Sequence, residues 1–561
     1  MKRYALLFLA AMSAVFSFAD KLPKKVDKSR SCVASVLTYN RGVLKNSGTA
    51  VFVGGGDLLS SYSLFAGADS AVVVDHKGTV RQVKNMVGIN NIFDCAKFRV
   101  VADKKIKAPV VSASPLSVGD KLYIMGYGVG KNGFVEEVSV VKVDSVYSHG
   151  YYTLDKPMEE RFVSLPLVNV NGELVAVMQQ AASDEKTNSY AVSTSLIPSL
   201  EVSVAVYGKG CYPGTGIRTV LPTDKEVALS CLYMQSMMGD SVSNSNTISD
   251  FIAAFPKAYE GYLAKAEFEA LTCGDMDAAE KAWDKAFALS KAPAEVHFGK
   301  AKVMNTIVQS GDTLSHPSFS FANVIAEIDK AIAADRQPLY ISAKADMLLT
   351  NGQFVEAAEC YKEVAFMSTQ NKADMAGAYA KASQCYSSVS DYGNSIIMLD
   401  SAVNCFDEAD TKAAAPYVLT RALVKATAKQ YRPAVLDYNK YEQLLGGVKD
   451  AGFYSLRAQS ELDAKMFQQA LNDFDTAIDL APLNLSYYIE KALLCYRVKL
   501  TDEGIRTLDI ALELAPEEPN VHYLLGRLYM LKNEDAKGRE YLLKAKELGH
   551  PDAESILLKM N

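Results

Sequence analysis

The chain has 561 residues, more than a single hydrophobic core normally serves, so the sequence predicts several domains or a repeat array. Hydrophobic residues make up 49% of it, and 59 lysines and arginines nearly balance 65 aspartates and glutamates, for a net charge of −6. This balance excludes the basic field that attracts nucleic acid or anionic lipid. Nucleic acid is therefore not expected as a partner.

Residues 1–19 have the pattern of a secretory signal peptide. Lys2 and Arg3 precede an apolar stretch from 4 to 18, and Ser17 and Ala19 supply the small residues needed for cleavage before Asp20. The apolar stretch is shorter than the roughly 20 residues that a membrane-spanning helix requires, which makes a membrane anchor the weaker interpretation. We expect an exported protein, periplasmic or extracellular, without stable membrane insertion.

Residues 20–205 have the short apolar clusters and glycine-rich turns of β structure. The clearest predicted strands are Thr49–Val53, Ala71–Val74, Lys121–Met125 and Leu174–Met178. A cluster of glycines and a proline from 208 to 216 marks the end of this part. We assign residues 206–250 to a linker with a lead-in helix.

Four stretches of this β-rich part resemble the trypsin-like peptidases of the exported HtrA kind: Ser47–Val53, Leu58–Ala68, Asp94–Val100 and Pro166–Val175. The resemblance implies an all-β trypsin-like double β-barrel. It also implies a site in which a serine hydroxyl, a histidine and an aspartate meet, because the imidazole takes the hydroxyl proton and the carboxylate fixes the imidazole.

The residues at the positions of this triad depart from the family pattern. By position, Asp94 keeps the carboxylate, but Ser63 stands at the histidine position and Val163 at the position of the nucleophilic serine. Arg161 replaces a glycine that shapes the oxyanion hole in the family. Since the hydroxyl needs a base to become nucleophilic, we expect a degenerate triad, no catalytic residues and therefore a pseudo-peptidase.

A shifted catalytic set is the alternative that the sequence leaves open. Ser164 is the fallback nucleophile, one residue after the expected position, but the following Leu165 cannot replace a glycine with a positive φ angle. His76 and His149 are the histidines of this half that would have to serve as its base. His76 falls in a turn sequence, and the spacing of His149 favours no role.

The nine cysteines are scattered singly, without a CxxC pair. This distribution argues against a zinc site and against a dense disulfide framework. The sequence contains no metal-ligand cluster, and we expect neither a metal nor a cofactor.

Residues 251–549 repeat at a helical period. The same interval of 34 residues separates the members of four sets: Ala458, Ala492 and Gly526; Ala470, Gly504 and Gly538; Phe474, Leu508 and Leu542; Ala477, Ala511 and Ala545. Small residues let paired helices approach closely, and Pro482 and Pro516 end the units. This pattern resembles the tetratricopeptide repeat family and implies about eight repeats in an all-α solenoid.

Residues 550–561 are expected to form a helix that caps the last apolar face of this solenoid. We assign the acidic residues of the repeats, such as Asp473, Asp475 and Asp479, to the polar faces of amphipathic helices.

In tetratricopeptide arrays the first helix of each pair lines a groove that holds a protein or peptide. By position, the resemblance assigns six residues to this lining: Ile489, Leu493, Tyr496, Tyr523, Arg527 and Met530. Their mixed chemistry predicts a hydrophobic or mixed segment as the ligand.

These patterns favour an exported scaffold for protein interactions, built from a non-catalytic trypsin-like domain and tetratricopeptide repeats that bind a protein or peptide. A serine endopeptidase with non-standard catalytic residues is one alternative, and a structural component of an envelope assembly is another. The sequence leaves the oligomeric state and the identity of the partner open.

Overall fold

The computed structural model describes residues 22–101, 107–112, 114–130, 132–180, 187–202, 212–238, 240–311, 319–407, 411–448 and 450–560. The predicted signal peptide lies outside these ranges. The chain divides into a first unit, Met1–Lys291, and a second unit, Ala292–Asn561. Among the helices of the described ranges, none combines the length and the apolar character that crossing a bilayer requires.

A short helix, α1 (Lys24–Ser29), precedes a closed antiparallel barrel of six strands. The strands are β1 (Val33–Asn40), β2 (Val43–Gly54), β3 (Asp57–Ser61), β4 (Ser70–Val74), β5 (Val80–Asn90) and β6 (Cys95–Val100). They follow the order β1-β2-β3-β6-β5-β4, and β4 closes the barrel against β1. Alternate side chains such as Val36, Phe52 and Phe98 fill the interior.

A second closed barrel of six strands follows. Its strands are β7 (Lys121–Met125), β8 (Val135–Val146), β9 (His149–Leu154), β10 (Pro166–Asn169), β11 (Leu174–Gln179) and β12 (Ser189–Ser193), in the order β10-β11-β12-β9-β8-β7. Ile124, Tyr152 and Leu167 are buried in its centre. The predicted trypsin-like double barrel is confirmed.

An apolar layer joins the two barrels. Leu59 and Cys95 of the first barrel pack with Leu174, Val177 and Val192 of the second. The layer holds the carboxyl end of β3 and the start of β6 against the second barrel, and the positions of the triad lie there.

The segment 212–220 corrects the predicted linker. Tyr212 and Ile217 are buried in the core of the first barrel, and the backbone of Met86 on β5 bonds with Arg218 and Val220 at 2.7 and 2.9 Å. The sequence hid this role because the two apolar residues stand among glycines, a proline and threonines that are typical of turns. Two helices, α2 (Lys225–Met238) and α3 (Ser241–Ala254), then take the place of the expected single lead-in helix.

Helix pairs continue the chain. In the first unit, α4 (Tyr259–Phe268) packs with α5 (Met276–Leu289). The second unit contains α6 (Pro293–Gln309), α7 (Phe321–Ala334), α8 (Pro338–Thr350), α9 (Phe354–Met367), α10 (Lys372–Ser388), α11 (Tyr392–Asn404), α12 (Thr411–Thr427), α13 (Tyr431–Leu445), α14 (Ala451–Asp463), α15 (Phe467–Leu480), α16 (Leu485–Val498), α17 (Thr501–Leu514), α18 (Pro519–Leu531), α19 (Asp535–Glu547) and α20 (Ala553–Lys559). Within each unit, helices adjacent in sequence pack together, which confirms the predicted all-α solenoid class.

The small residues of the repeat let paired helices approach closely, as the spacing predicts. A Cβ atom on Gly526 of α18 would lie 2.7 Å from Leu542 Cγ and 3.0 Å from the carbonyl oxygen of Gly538, both on α19. A Cβ atom on Gly504 of α17 would similarly lie 2.9 Å from Leu528 Cδ1 on α18. The backbone contact between Gly526 and Gly538 explains why neither position carries a side chain.

Gly526→Ala is therefore expected to lower the free energy of unfolding of the second unit by about 1–3 kcal/mol, because the added methyl group has no space. Gly377→Ala is the matched control, since its Cβ would meet nothing within 4 Å in the middle of α10. That change should stabilise the helix by about 0.5–1 kcal/mol. Urea unfolding followed by far-ultraviolet circular dichroism measures both effects, and equal effects at the two positions would contradict the packing described for α18 and α19.

A buried ion pair corrects the assignment of Asp473 to a polar face, whereas Asp475 and Asp479 are exposed, as expected. Asp473 of α15 is 7% exposed and receives two hydrogen bonds from the buried Arg457 of α14, at 2.6 and 2.9 Å. Arg421 of α12 makes the same double contact with Asp437 of α13. These salt bridges join the two helices of a pair through the position where an apolar residue would otherwise stand.

Candidate functional site

Asp94 and Ser63 meet at the surface between the barrels, at the position of the family's histidine and aspartate. The backbone N–H and the hydroxyl group of Ser63 donate to the two carboxylate oxygens of Asp94, each at 2.7 Å. Asp94 follows Phe93 in the tight turn between β5 and β6 and has a φ angle of 45°. The carboxylate is thus held by a serine, which does not accept a proton near neutral pH.

Ser164 lies across the interface between the barrels and is 3% exposed. Its hydroxyl group is hydrogen-bonded to the hydroxyl of Ser61, at the end of β3, and its backbone N–H donates to Met178 at 3.1 Å. The positive φ angle of this turn, 67°, belongs to Ser164 itself, whereas the sequence predicts it for the position of Leu165. Among the residues that the structure describes, the fallback nucleophile therefore contacts another hydroxyl group and no imidazole.

Val163 and Arg161 occupy the turn where the family forms its oxyanion hole. Val163 is aliphatic and half-buried. The Arg161 guanidinium pairs with Glu159 at 2.5 Å and with Glu136 at 2.9 Å, and it lies 4.8 Å from the ring centre of Phe134. The backbone N–H groups of Val163 and Ser164 donate to the carbonyl oxygens of Glu160 and Met178, at 3.3 and 3.1 Å, so they are not free to receive an oxyanion.

His149 bonds to a serine, but at a different place. Its Nδ1 lies 3.3 Å from Ser195 Oγ, and its ring contacts Phe93 edge-on at 5.9 Å. The carbonyl oxygen of Met178 on β11 accepts the backbone N–H of Ser164. Met178 is paired with Ala191 on β12, and Ala191 is paired with Tyr152 on β9, three residues after His149. At about 3.3 Å per residue, this register separates His149 from the level of Ser164 by roughly 10 Å.

His76 lies in the turn between β4 and β5, as its sequence predicts. Asp75 shapes this turn by accepting the backbone N–H groups of Lys77 and Thr79 at 2.8 and 2.9 Å. The carbonyl oxygen of His76 accepts from Gly130 at 2.8 Å, while no hydrogen-bond partner among the described residues reaches its buried Nδ1. His76 therefore does not reach either serine.

Cys95 carries a thiol, a possible nucleophile, beside this site. The sequence did not indicate a role for it. Burial raises the pKa of its thiol to about 12, and the thiol donates to the carbonyl of Phe93 at 3.3 Å. Because the thiolate is the reactive form, Cys95 is an inert core residue near neutral pH. Within the described ranges, no group of three or more His, Cys, Asp and Glu side chains is placed to hold a metal ion.

Three of the six predicted groove residues come together in the last two repeats. Arg527 of α18 donates to the hydroxyl group of Tyr523 at 2.8 Å and to that of Tyr496 on α16. Its guanidinium lies 4.8 Å from the ring centre of Tyr496 and 5.7 Å from that of Tyr523. His550, which sequence reasoning missed, stacks on Tyr523 with ring centres 3.9 Å apart. We call these four residues the arginine cluster.

The other three predicted groove residues have separate surroundings. Ile489 packs at the edge of the apolar core that includes Tyr488 and Leu525, and Leu493 is 36% exposed. Met530 lies against Gly538 of α19: a Cβ atom on Gly538 would be 2.8 Å from Met530 Cγ. Met530 thus takes part in the contact between paired helices.

Comparisons with known proteins return peptidases of the predicted kind at low similarity. The Rv3671c protease of M. tuberculosis in its active form is 16% identical, with a TM-score of 0.28, over 34% of this chain and 92% of that chain. The HtrA-type protease AlgW with tripeptide is 20% identical, with a TM-score of 0.28, over 31% of this chain and 60% of that chain. The serine endoprotease from Yersinia pestis is 15% identical, with a TM-score of 0.28, over 32% of this chain and 65% of that chain.

Neither a family model nor a curated protein matches the chain. Because TM-scores below 0.5 are too low to support a fold assignment, that assignment rests on the two closed barrels themselves. The barrel strands do not indicate an activity, which depends on the side chains of the site.

Proposed function

We propose that the chain is an exported, non-catalytic binding protein in which a trypsin-like double barrel is retained for docking and the helical repeats bind a protein or peptide. The observation that carries the proposal is the contact between Ser164 and Ser61. A trypsin-like serine peptidase needs an imidazole at that hydroxyl, and the position of that imidazole holds Ser63, which is bonded to Asp94.

The chemistry of the site supports binding without hydrolysis. A serine hydroxyl does not accept the proton of another hydroxyl near neutral pH, so Ser61 cannot act as a general base for Ser164. The backbone N–H groups of Val163 and Ser164 are also bonded to main-chain carbonyls at the turn where an oxyanion would lie. The repeats are then the part that binds the partner, because α16 and α18 carry both apolar and cationic groups, such as Leu493 and Arg527.

A serine peptidase is a second candidate because of one specific observation, the 3.3 Å contact between His149 and Ser195. In this pair His149 uses Nδ1, and no carboxylate of the described residues bonds to its other ring nitrogen. Without an orienting acid, a serine and histidine pair lacks the group that fixes the imidazole tautomer. We therefore favour the non-catalytic function.

Labelling with a fluorophosphonate probe separates the two candidates. The purified full-length chain is expected to remain unlabelled under conditions that label trypsin completely, and Ser164→Ala and Ser195→Ala should give the same blank result. Labelling that disappears in Ser195→Ala would establish the second candidate. Labelling that disappears in Ser164→Ala would show that the interface between the two barrels is an active site.

The envelope-assembly alternative predicts a different outcome in co-purification. A scaffold that binds free segments should recover partners in substoichiometric amounts, whereas a structural component should recover a fixed set at constant ratio. Gentle solubilisation of the producing cells, followed by quantitative mass spectrometry of the co-purified proteins, distinguishes the two.

A further inference from the structure

The arginine cluster contains a cation without a matching anion. Arg527 is half-buried, and its two hydrogen bonds go to the neutral phenols of Tyr523 and Tyr496. No carboxylate among the described residues pairs with it, although Arg421 and Arg457, at a nearby position of earlier repeats, each bind two acids. A guanidinium has five N–H groups, so three have no hydrogen-bond partner among the described residues.

The two tyrosines fix the position of this guanidinium. Both phenol oxygens accept from it, and both rings lie within 6 Å of its central carbon. Immobilising an arginine before the ligand arrives reduces the entropy cost of binding. This arrangement suits an anion better than a mobile surface arginine would.

His550 adds a second donor at the edge of the cluster. The backbone N–H of Asp552 donates to His550 Nδ1 at 3.1 Å, so the hydrogen of the neutral ring lies on Nε2. Burial lowers the pKa of His550, against the opposing charges of Asp552 and Glu518. Its Nε2–H therefore offers a neutral donor next to Tyr523. Glu518 is itself engaged by Asn520 at the start of α18.

The preceding repeat presents apolar groups at the corresponding positions. Ile489 stands 34 residues before Tyr523, and Leu493 stands 34 residues before Arg527. Packed helices lie about 8–10 Å apart, which an extended peptide spans in two or three residues at about 3.3 Å each. The surface formed by the two repeats thus offers an apolar patch and a cation at a spacing that one short segment can match.

We propose that the arginine cluster binds the carboxylate side chain of an extended peptide segment whose apolar side chain, two or three residues away, contacts Ile489 and Leu493. The inference rests on the proposed function and specifies the chemistry of its ligand. The carboxylate takes up the N–H groups of Arg527 that remain available, and Tyr523 holds the guanidinium in place.

Two fluorescent decapeptide libraries test this inference with the full-length chain. Both are acetylated and amidated; one fixes Leu-x-x-Asp, and the other fixes Leu-x-x-Asn. The aspartate library is expected to bind at least about tenfold more tightly in fluorescence anisotropy, since a hydrogen-bonded charge is worth more than a neutral group of the same shape. Arg527→Gln should remove this difference, and Tyr523→Phe should reduce it while keeping the ring.

Arg506→Gln is the matched control, because Arg506 is exposed on α17 and the substitution makes the same change in charge. It should leave the preference for aspartate unchanged. Equal binding of the two libraries would overturn carboxylate recognition while leaving peptide binding intact. Binding of neither library would overturn both this inference and the peptide-binding function. A third library with asparagine and a free C-terminal carboxylate that bound as tightly as the aspartate library would overturn the assignment to a side chain.

Discussion

Arg457→Met is expected to lower the free energy of unfolding of the second unit by about 3–5 kcal/mol, the typical cost of removing one partner from a buried ion pair. Arg457 bonds to Asp473 at 2.6 and 2.9 Å, to Glu442 at 2.6 Å and to Asn439 at 2.9 Å. Its guanidinium also lies 5.2 Å from the ring centre of Phe453. Methionine keeps part of this packing but leaves two carboxylates without their cation.

The double variant Arg457→Met, Asp473→Asn distinguishes loss of charge pairing from loss of packing. If the uncompensated carboxylate causes the instability, neutralising Asp473 should restore at least half of the lost free energy. Arg506→Met, at an exposed position, should change stability by less than about 0.5 kcal/mol. Additive losses in the double variant would show that the buried salt bridge does not hold α14 and α15 together.

Glu461→Gln is expected to remove a pH dependence of stability amounting to about 4–5 kcal/mol. Glu461 of α14 is 4% exposed, and its Oε2 has no hydrogen-bond partner among the described residues. Burial and the nearby charge of Asp473 raise the pKa of Glu461 to about 8. Arg457 pairs with the carboxylates of Glu442 and Asp473, so ionised Glu461 would be a third negative charge beside this single cation.

The direction of this pH dependence follows from proton binding. Between about pH 4.5 and pH 8 the folded chain keeps the proton on Glu461 that the unfolded chain releases. The stabilisation is therefore complete below the ordinary glutamate pKa and is lost as the pH rises towards 8. Glutamine stays neutral throughout, so the difference in unfolding free energy between wild type and variant should grow with pH in favour of the variant.

Chemical unfolding of both proteins at pH 5, 6.5 and 8.5 measures this difference, and titrations common to the two cancel. Glu513→Gln on the exposed face of α17 is the control and should give parallel curves. Parallel curves for Glu461→Gln would mean that Glu461 is ionised in the folded chain throughout this range.

The parts of the fold that the sequence predicts depend on local patterns. Lys121–Met125 is strand β7 as predicted, because its apolar residues stand between turn signals. The contact of Gly526 with Gly538 follows from the 34-residue interval, which requires the same helix packing in each unit. Neither inference needs knowledge of a distant residue.

The parts that it did not predict join residues far apart in sequence. Ser61 and Ser164 are 103 positions apart, and the close contact of their hydroxyl groups depends on how the two barrels pack. The salt bridge of Arg457 with Asp473 spans two helices, so the aspartate resembled any polar-face residue. His550 reaches Tyr523 only because the chain turns back after α19.

Incubating the full-length protein with a peptide library derived from a whole proteome tests most directly whether this chain binds peptides without hydrolysing them. Bound and free fractions are then separated and sequenced by mass spectrometry. A binding protein without peptidase activity should give a bound fraction enriched in particular segments, with the same peptide termini as the input library. New termini that accumulate with time and vanish in Ser164→Ala or Ser195→Ala would contradict it.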